Sequence, residues 1–474
     1  MKNIKLLLLT LLFCGFSYAQ VGIGTTTPDP SSMLDVTSDS QGLLVPRMTT
    51  AERNAITDPA KSLLVFDTTE NTYYFNEGDD VTPNWIPFLS DNERRDNYVL
   101  VKSVDDFPAP TSGTITLDEN TLYEINGTIT LSNPIELNDA QLLGRDAGED
   151  VLSKASGAVF TGTTGGNIKN LTIEGGGTVF AITGGTSLLF QNCIVSGMAS
   201  VGTISGVGLY FSNIVNFVGN TTGVTYTNIG NLLLNNQGWA STNAGTYETF
   251  TGTFGLIEKV SGFSTVASGN TGIDVSSSPT VGTGVLQGTV FSGGGDYVNG
   301  YNPEPYDGYN FSNSWTVNAP GIPRESDDVA GGNFYSNAGL TTGFTQDINN
   351  GNAVKVLGNG TTIANSLFRF TAPGNNRLTY EGTKTRNFQI NASLSIRVTG
   401  AADDFYAFLI AKNGNIVTES NAIVRINDNT EIQNVSINAI VSLTSGDYIE
   451  IYTQRFNGSG TDTLVVFSEN LSIN

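Results

Sequence analysis

Residues 355–474 carry the clearest alternation of apolar and polar positions in the chain. Between positions 388 and 398 every second residue is apolar, and the residues between them are polar. The apolar set is Phe388, Ile390, Ala392, Leu394, Ile396 and Val398. Such a strand covers a core with one face and meets solvent with the other. Because strand, turn and strand follow again at 435–443 and 448–452, the region predicts an antiparallel β-sandwich.

The segment FYAFLIAK at 405–412 is apolar on both faces and ends at Asn413-Gly414, a hairpin-turn pair. A strand of this kind lies either in the middle of a sandwich or at an oligomer interface. We expect another subunit to cover one of its faces. The predicted interface residues are Phe405, Tyr406, Phe408 and Ile410.

The same region resembles the C1q/tumour-necrosis-factor-like jelly roll. The shared features are a strand reading F.I.A.L.I, a core strand ending in KNG, an apolar strand before SGDYIEIY, and a final strand near the C-terminus. In that family the jelly roll trimerises through its central apolar strands. The resemblance therefore implies a homotrimer.

Residues 98–291 consist of short β-rich runs separated by glycine, asparagine, threonine and serine. If Leu171, Cys193, Ile214 and Leu233 are equivalent, the runs repeat after 22, 21 and 19 residues. A period of about 20 residues is typical of one turn of a parallel β-helix. A leucine-rich repeat has a similar period, but its regular leucine spacing is missing. The region predicts a right-handed parallel β-helix with Cys193 in the interior, and an array of β-sandwiches is the alternative.

Residues 20–97 offer few side chains for a core, so we expect a poorly packed leader. Its one helix-start signal is TTAERNAI at 49–56, with Thr50 as the expected N-cap. The motifs GIGT…P…LDV…G.L.PRMT…R..I and LLVFDTT…YYFN resemble the leader of Bacteroidota surface proteins and phage tail-fibre-like proteins. This resemblance implies a fibre-attachment region and implies no chemistry.

Residues 292–354 form an expected connector in which tyrosine and tryptophan stand among glycine and proline. Its run PGIPRESDDVAGGNFY resembles the stretch after the β-helix in phage-related surface proteins. Sugar rings stack their C–H faces on exposed aromatic rings, and their hydroxyls need polar acceptors. We therefore expect any glycan contact on Tyr297, Tyr301, Tyr306, Asp307, Tyr309 and Trp315. Alternatively, these rings plug the end of the β-helix and dock it to the next domain, in which case they are buried.

The N-terminus has the pattern of a secretory signal. Two lysines precede an apolar run at 6–16, and Ser-Tyr-Ala at 17–19 is a small-x-small site that predicts cleavage near Ala19. Removal of residues 1–19 leaves Cys193 as the only cysteine, so no internal disulfide is possible. We expect a secreted or cell-surface protein without membrane insertion.

Charge and composition exclude several classes of function. The chain has 22 Lys plus Arg, 44 Asp plus Glu and no histidine, for a formal charge of −22. Nucleic acid is therefore a poor partner, and histidine-based triads and metal sites are excluded. Adjacent aspartates on a strand point to opposite faces, and no EF-hand-type loop occurs. We expect no cofactor, no metal and no catalytic residue.

The predicted fold class is all-β: a right-handed parallel β-helix, a C-terminal jelly-roll β-sandwich and a poorly packed N-terminal leader. The predicted function is a secreted trimeric fibre or spike for adhesion or recognition at a surface, with glycans as the expected ligand. One alternative is a β-helix enzyme that cuts polysaccharide with carboxylates alone. The other is a purely structural surface component.

Overall fold

The computed structural model describes residues 20–88, 97–349, 351–374, 376–400 and 403–474. The predicted signal segment lies outside these residues. The chain divides into two compact units, Met1–Asp96 and Asn97–Asn474. Strands make up 53% of the chain and there is almost no helix, so the all-β prediction is confirmed.

The first unit contains a two-stranded parallel sheet and a four-stranded sheet in the order β3-β4-β5-β6. Its elements are β1 Val21–Ile23, β2 Leu34–Val36, β3 Arg47–Met48, α1 Thr50–Asn54, β4 Leu64–Asp67, β5 Thr72–Asn76 and β6 Trp85–Pro87. Among residues 20–88, Val65 is the one aliphatic or aromatic side chain in the buried core. The expected poor packing of the leader is therefore seen.

The second unit begins with a parallel β-solenoid of about 11 turns, which confirms the β-helix prediction. Its larger sheet contains β7 Tyr98–Val101, β9 Leu122–Ile125, β10 Thr128–Thr130, β12 Gln141–Leu143, β13 Val151–Ser153, β15 Gly166–Lys169, β16 Thr172–Glu174, β18 Gly185–Ser196, β20 Val207–Val218, β22 Asn231–Trp239, β24 Thr253–Val266, β26 Thr280–Gln287, β27 Val290–Gly293 and β29 Trp315–Asn318. Its second sheet contains β8 Ile115–Thr116, β11 Ile135–Glu136, β14 Ala158–Gly162, β17 Thr178–Ile182, β19 Ser200–Ser205, β21 Val224–Thr227, β23 Thr246–Thr251, β25 Thr271–Asp274 and β28 Asp296–Asn299. A short 3₁₀ turn at Val104–Asp106 follows the first strand.

Equivalent side chains of successive turns stack in columns inside the solenoid. One column contains Leu142, Ile168, Phe190, Ser212, Leu234, Lys259, Leu286 and Val317. From Ile168 onward its steps are 22, 22, 22, 25, 27 and 31 residues, so the turns lengthen along the chain.

The predicted interior position of Cys193 is confirmed, and its register partner is Val215. Burial raises the pKa of the Cys193 thiol to about 12. The residue expected to be equivalent, Ile214, is half exposed and has a φ of +55°. The column of Cys193 continues from Val215 to Gln237, whereas Leu233 pairs with Phe211. The predicted alignment was therefore wrong by one position at Ile214 and by four at Leu233.

A polar network crosses the solenoid interior. Lys259 Nζ lies 2.9 Å from Glu248 Oε1, and both side chains are almost fully buried. Tyr247 donates to Gln237 Oε1 at 2.9 Å, and Gln237 Nε2 donates to Ser212 Oγ at 2.7 Å. Burial raises the pKa of Glu248 and outweighs the attraction of Lys259. The network therefore joins three successive turns by side chains as well as by backbone.

The jelly roll consists of two antiparallel sheets over one core. One sheet contains β30 Gly331–Ser336, β31 Phe344–Asn349, β33 Thr362–Phe368, β36 Arg386–Thr399, β40 Gln433–Leu443 and β42 Thr461–Ile473. The other contains β32 Val354–Lys355, β34 Phe370–Thr371, β35 Arg377–Tyr380, β37 Asp404–Lys412, β38 Asn415–Ile416, β39 Ala422–Ile426 and β41 Tyr448–Arg455. Two 3₁₀ turns lie at Asp327–Val329 and Thr418–Ser420.

The predicted connector at 292–354 does not form a separate segment. Its first part supplies β28 and β29, which pair in parallel with the preceding solenoid turns. Its last part supplies β30 and β31, which pair with β42 of the jelly roll. The solenoid thus extends beyond 291 to Asn318, and the jelly roll begins at Gly331 rather than at 355. The predicted boundaries were wrong because strand pairing continues through this stretch, although its glycine, proline and aromatic residues do not show a strand pattern.

Candidate functional site

In the N-terminal unit, a buried ion pair fixes α1 on its sheet. The helix is capped by Thr49, which forms a full capping box with Glu52, so the expected cap Thr50 was one residue too late. Thr50 instead donates to Asp67, and Arg53 Nε lies 3.1 Å from Asp67 Oδ2. Burial opposes ionisation of Asp67, but its hydrogen bonds and Arg53 outweigh that effect and lower its pKa.

The N-terminal unit also exposes many large apolar side chains. They are Val21, Ile23, Met33, Leu34, Val36, Leu43, Leu44, Tyr73, Val81 and Phe88. Leu44 and Tyr73 also line a cavity of about 180 Å³ together with Val45, Arg47 and Phe66. Exposed apolar groups at this density mark a surface that another chain covers.

The predicted glycan platform is wrong for its three central rings. Tyr301, Tyr306 and Trp315 are buried, with at most 8% of each side chain exposed. Trp315 Nε1 donates to the Tyr301 hydroxyl at 3.0 Å, which donates to Pro279 O at 2.8 Å in the solenoid. The Tyr306 hydroxyl lies 3.2 Å from Glu381 of the jelly roll. These rings plug the last solenoid turn and dock the jelly roll on it, which was the alternative expectation.

The other three residues of the predicted platform also fail to form one. Tyr297 is half-buried against Phe291, and the Tyr309 ring stacks on Phe368 of the jelly roll at 4.0 Å between centroids. Asp307 is exposed but has no open aromatic partner among the five. Among these five rings, no two are both exposed and coplanar, so they offer no stacking platform for a sugar.

A buried ion pair completes this junction. Arg369 Nη1 lies 2.9 Å from Asp327 Oδ1, and both side chains are at least 96% buried. Arg369 also donates to the carbonyls of Asn313 and Trp315, while Asp327 Oδ2 accepts from the backbone and side chain of Thr383. The neighbouring Asp328 is about half exposed, so the adjacency of the two aspartates in the sequence gives no signal that one of them is buried.

The predicted trimer interface divides between two faces of β37. Tyr406, Phe408 and Ile410 are fully buried in the core of their own jelly roll, so they are not available to another subunit. Phe405 points to the other face and is 40% exposed. Next to it lie Ile423 and Phe456, 60% and 50% exposed. Only Phe405 of the predicted set therefore remains a candidate for subunit contact.

A groove of about 230 Å³ crosses three turns of the second solenoid sheet. Thr203, Thr225 and Thr249 hold equivalent positions in it, so their hydroxyls repeat at the strand spacing of about 4.8 Å. The remaining lining residues are Ser200, Gly202, Thr222, Gly223, Val224 and Thr246. The lining is therefore made of hydroxyls, backbone and one valine, without an ionisable side chain. Sequence reasoning missed this groove, whose signal is the recurring Thr-x-Thr and Thr-x-Ser pattern.

An acidic cleft of about 220 Å³ lies nearer the start of the solenoid and includes Glu124, Arg145 and Asp150. Arg145 Nε lies 2.7 Å from Glu124 Oε1. Burial opposes ionisation of Asp150, but backbone donors that include Gly127 and Asp146 lower its pKa. A carboxyl with a lowered pKa stays ionised at neutral pH, so Asp150 is not suited to be the proton donor that cleavage of a glycosidic bond requires.

Three carboxyls have a pKa raised chiefly by burial: Glu248, Glu325 and Glu469. All three side chains are buried inside the second unit, away from its surface. In the residues described, no group of three or more Cys, Asp or Glu side chains could hold a metal ion. Nor does any helix in this part of the chain have the length and apolar character of a membrane span.

Residues 22–98 match the family described as the phage tail like trimerisation region. This match supports a homotrimer. Together with the β-solenoid, it fits a trimeric structural protein of the tail-fibre or tail-spike kind. No curated protein matches the chain.

Three solved structures that resemble parts of the chain are Eiger TNF, murine APRIL and a bacteriophage tailspike domain. Eiger TNF from S. frugiperda has a TM-score of 0.22 and 9% identity over 30% of this chain and 90% of its own. Murine APRIL has a TM-score of 0.19 and 10% identity over 29% of this chain and 98% of its own. The enzymatically active domain of bacteriophage CBA120 tailspike protein 4 has a TM-score of 0.13 and 11% identity over 90% of this chain and 77% of its own. At TM-scores below 0.5, these overlays carry no inference about this chain.

Proposed function

We propose that the protein is a secreted, trimeric, spike-like protein that recognises glycans at a surface. The observation that carries the proposal is a trimerisation region joined in one chain to a parallel β-solenoid. Secretion rests on the signal pattern of residues 1–19.

The exposed apolar side chains of the N-terminal unit support the trimeric assembly. A monomer would leave about ten such side chains in water, whereas two further copies would cover them and gain about 25 cal/mol for each Å² removed from water. We infer that the Phe405, Ile423 and Phe456 surface of the jelly roll makes a second contact between the three copies.

Sedimentation velocity of the mature chain tests the assembly. At micromolar concentration we expect a trimer, and Leu44→Asp should weaken it because it adds a charge to the apolar cavity. Leu340→Asp is the matched control, since Leu340 is similarly exposed, belongs to the jelly roll and is not among the residues that line that cavity. A monomeric wild-type chain would overturn the proposal.

The hydroxyl-lined groove of the solenoid supports glycan recognition. Hydroxyls at regular spacing donate to and accept from sugar hydroxyls, and an open groove across several turns suits an extended polymer. The charge of −22 disfavours acidic polysaccharides, so the proposed ligand is a neutral glycan.

A glycan array probed with the mature trimer tests this part. We expect binding to neutral polysaccharides, and Thr225→Val should reduce it because valine keeps the shape of threonine and lacks the hydroxyl. The control is Thr186→Val, an exposed threonine of β18 outside the groove. Absence of binding to any glycan, or equal binding by both variants, would contradict the proposed groove.

A further inference from the structure

The jelly roll contains a cleft of about 420 Å³ that none of the features above explains. It lies between the β37–β38 hairpin, the 3₁₀ turn at Thr418–Ser420 and one end of β40. Its lining is Lys412, Asn413, Asn415, Ile416, Val417, Thr418, Glu419, Ile440, Val441 and Ser442. The volume falls within the range of about 300–1,000 Å³ that is common for small-molecule sites.

Ile440 breaks the pattern of its strand. In β40 the inward residues are apolar, and the outward residues are exposed and polar: Asn434, Ser436, Asn438 and Ser442. Ile440 is outward as well and is 70% exposed. Its partner across the sheet, Gln389, is also exposed and polar. Ile440 is thus the one apolar side chain on the outward face of β40. It lies in the wall of the cleft and does not pack in the core.

The polar part of the cleft is held rigidly. Lys412 Nζ donates to Ser442 O at 2.7 Å and lies 2.8 Å from Asp447 Oδ2. Asn413 accepts from the Tyr448 N–H at 2.9 Å and donates to Asp447 at 2.6 Å. A lysine ammonium has three donors, so one is left beyond these two contacts. The hairpin is therefore fixed in place before any ligand arrives.

Acceptors and donors for hydroxyls surround the apolar patch. Thr418 and Glu419 are exposed at the cleft, and Asn415 is exposed opposite them. A sugar residue combines an apolar C–H face with hydroxyls around its edge, which matches one exposed isoleucine within a polar ring. The carboxylates of Glu419 and nearby Asp447 repel an acidic sugar.

We infer that this cleft binds one neutral sugar residue, with its C–H face on Ile440 and its hydroxyls on Thr418, Glu419 and Lys412. The inference rests on the proposed recognition of glycans. The cleft differs from the solenoid groove in the size of its ligand. It holds one sugar unit, whereas the groove suits an extended polymer.

Saturation-transfer NMR of the full trimer with free glucose, galactose, mannose and N-acetylglucosamine tests the assignment. We expect at least one of these sugars to bind and Ile440→Asn to weaken it by about tenfold, as for loss of an apolar contact in a binding pocket. Ile440→Asn also restores the polar pattern of the strand, so folding should be retained. Glu419→Gln should cause a smaller loss. Ile432→Asn, which changes an exposed isoleucine outside the cleft, should leave binding unchanged.

Unchanged binding in both Ile440→Asn and Glu419→Gln would overturn this assignment. If none of the four sugars binds while the array shows binding that Thr225→Val removes, the assignment fails and the proposed function stands. A wild-type trimer that binds no glycan at all would overturn both. Should Ile440→Asn misfold, Glu419→Gln and Thr418→Val decide the outcome, since both positions are exposed and lie outside the core.

Discussion

Removal of Arg369 should uncouple the jelly roll from the solenoid. In the Arg369→Met variant, Asp327 Oδ1 loses its partner in a buried site, and the carbonyls of Asn313 and Trp315 lose a donor each. Breaking one side of a buried ion pair costs about 3–5 kcal/mol because the remaining charge stays desolvated. Most of this loss of stability should affect the contact between the last solenoid turn and the jelly roll.

Urea unfolding of the mature protein, followed by near-ultraviolet circular dichroism, measures the loss. Three variants form a double-mutant cycle: Arg369→Met, Asp327→Asn and the two together. The double variant should lose much less than the sum of the single variants, because neither charge is then buried alone. Arg324→Met is the matched control, since its ion pair with Asp328 is about half exposed and should contribute less than about 1 kcal/mol. Equal losses in Arg369→Met and Arg324→Met, or single effects that simply add, would contradict a coupled buried pair at the junction.

Three further predictions concern single residues. Phe408→Asp should unfold the jelly roll, whereas Phe405→Asp should keep the circular dichroism spectrum and weaken the trimer in sedimentation; the opposite result would return Phe408 to the interface. Burial raises the pKa of Glu469 to about 8, above its value in the unfolded chain. The protonated side chain therefore contributes fully to folding stability at acidic pH, and this contribution is lost as the pH rises towards 8. The melting temperature of wild type relative to Glu469→Gln should therefore fall between about pH 4.5 and 8, and a constant difference would contradict this. Cys193 should react with a thiol reagent only after unfolding, and rapid reaction of the native protein would place it at the surface.

The sequence was informative where one rule decides the structure. The alternation at 388–398 specifies β36 because a strand with one solvated face must alternate, and the interior position of Cys193 followed because a small apolar side chain in a short β-rich run packs inside a solenoid. The later turns lengthen to 31 residues, so a fixed period does not predict the last strands of the solenoid. Trp315 lies in one of these strands and was therefore predicted to be at the surface. Composition identifies aromatic side chains but does not say what covers them.

The same limit applies to the sites. An apolar strand on both faces predicted a partner for FYAFLIAK, yet neighbouring strands and the core bury most of it, and Phe405 is the exception. The Thr-x-Thr and Thr-x-Ser pattern marks the strands of the groove at Thr225, but the groove and the cleft at Ile440 also depend on which turns and strands lie side by side.

The buried pair of Lys259 and Glu248 has a consequence for how the solenoid folds. Columns of similar aliphatic side chains leave neighbouring turns nearly interchangeable, so a chain that pairs one turn too early still buries most of its apolar surface. A mispaired turn that places Lys259 without Glu248 leaves an ammonium in a dry interior, at a cost of several kcal/mol. At this turn the native register is therefore favoured over a shifted one by a buried charge pair as well as by apolar packing.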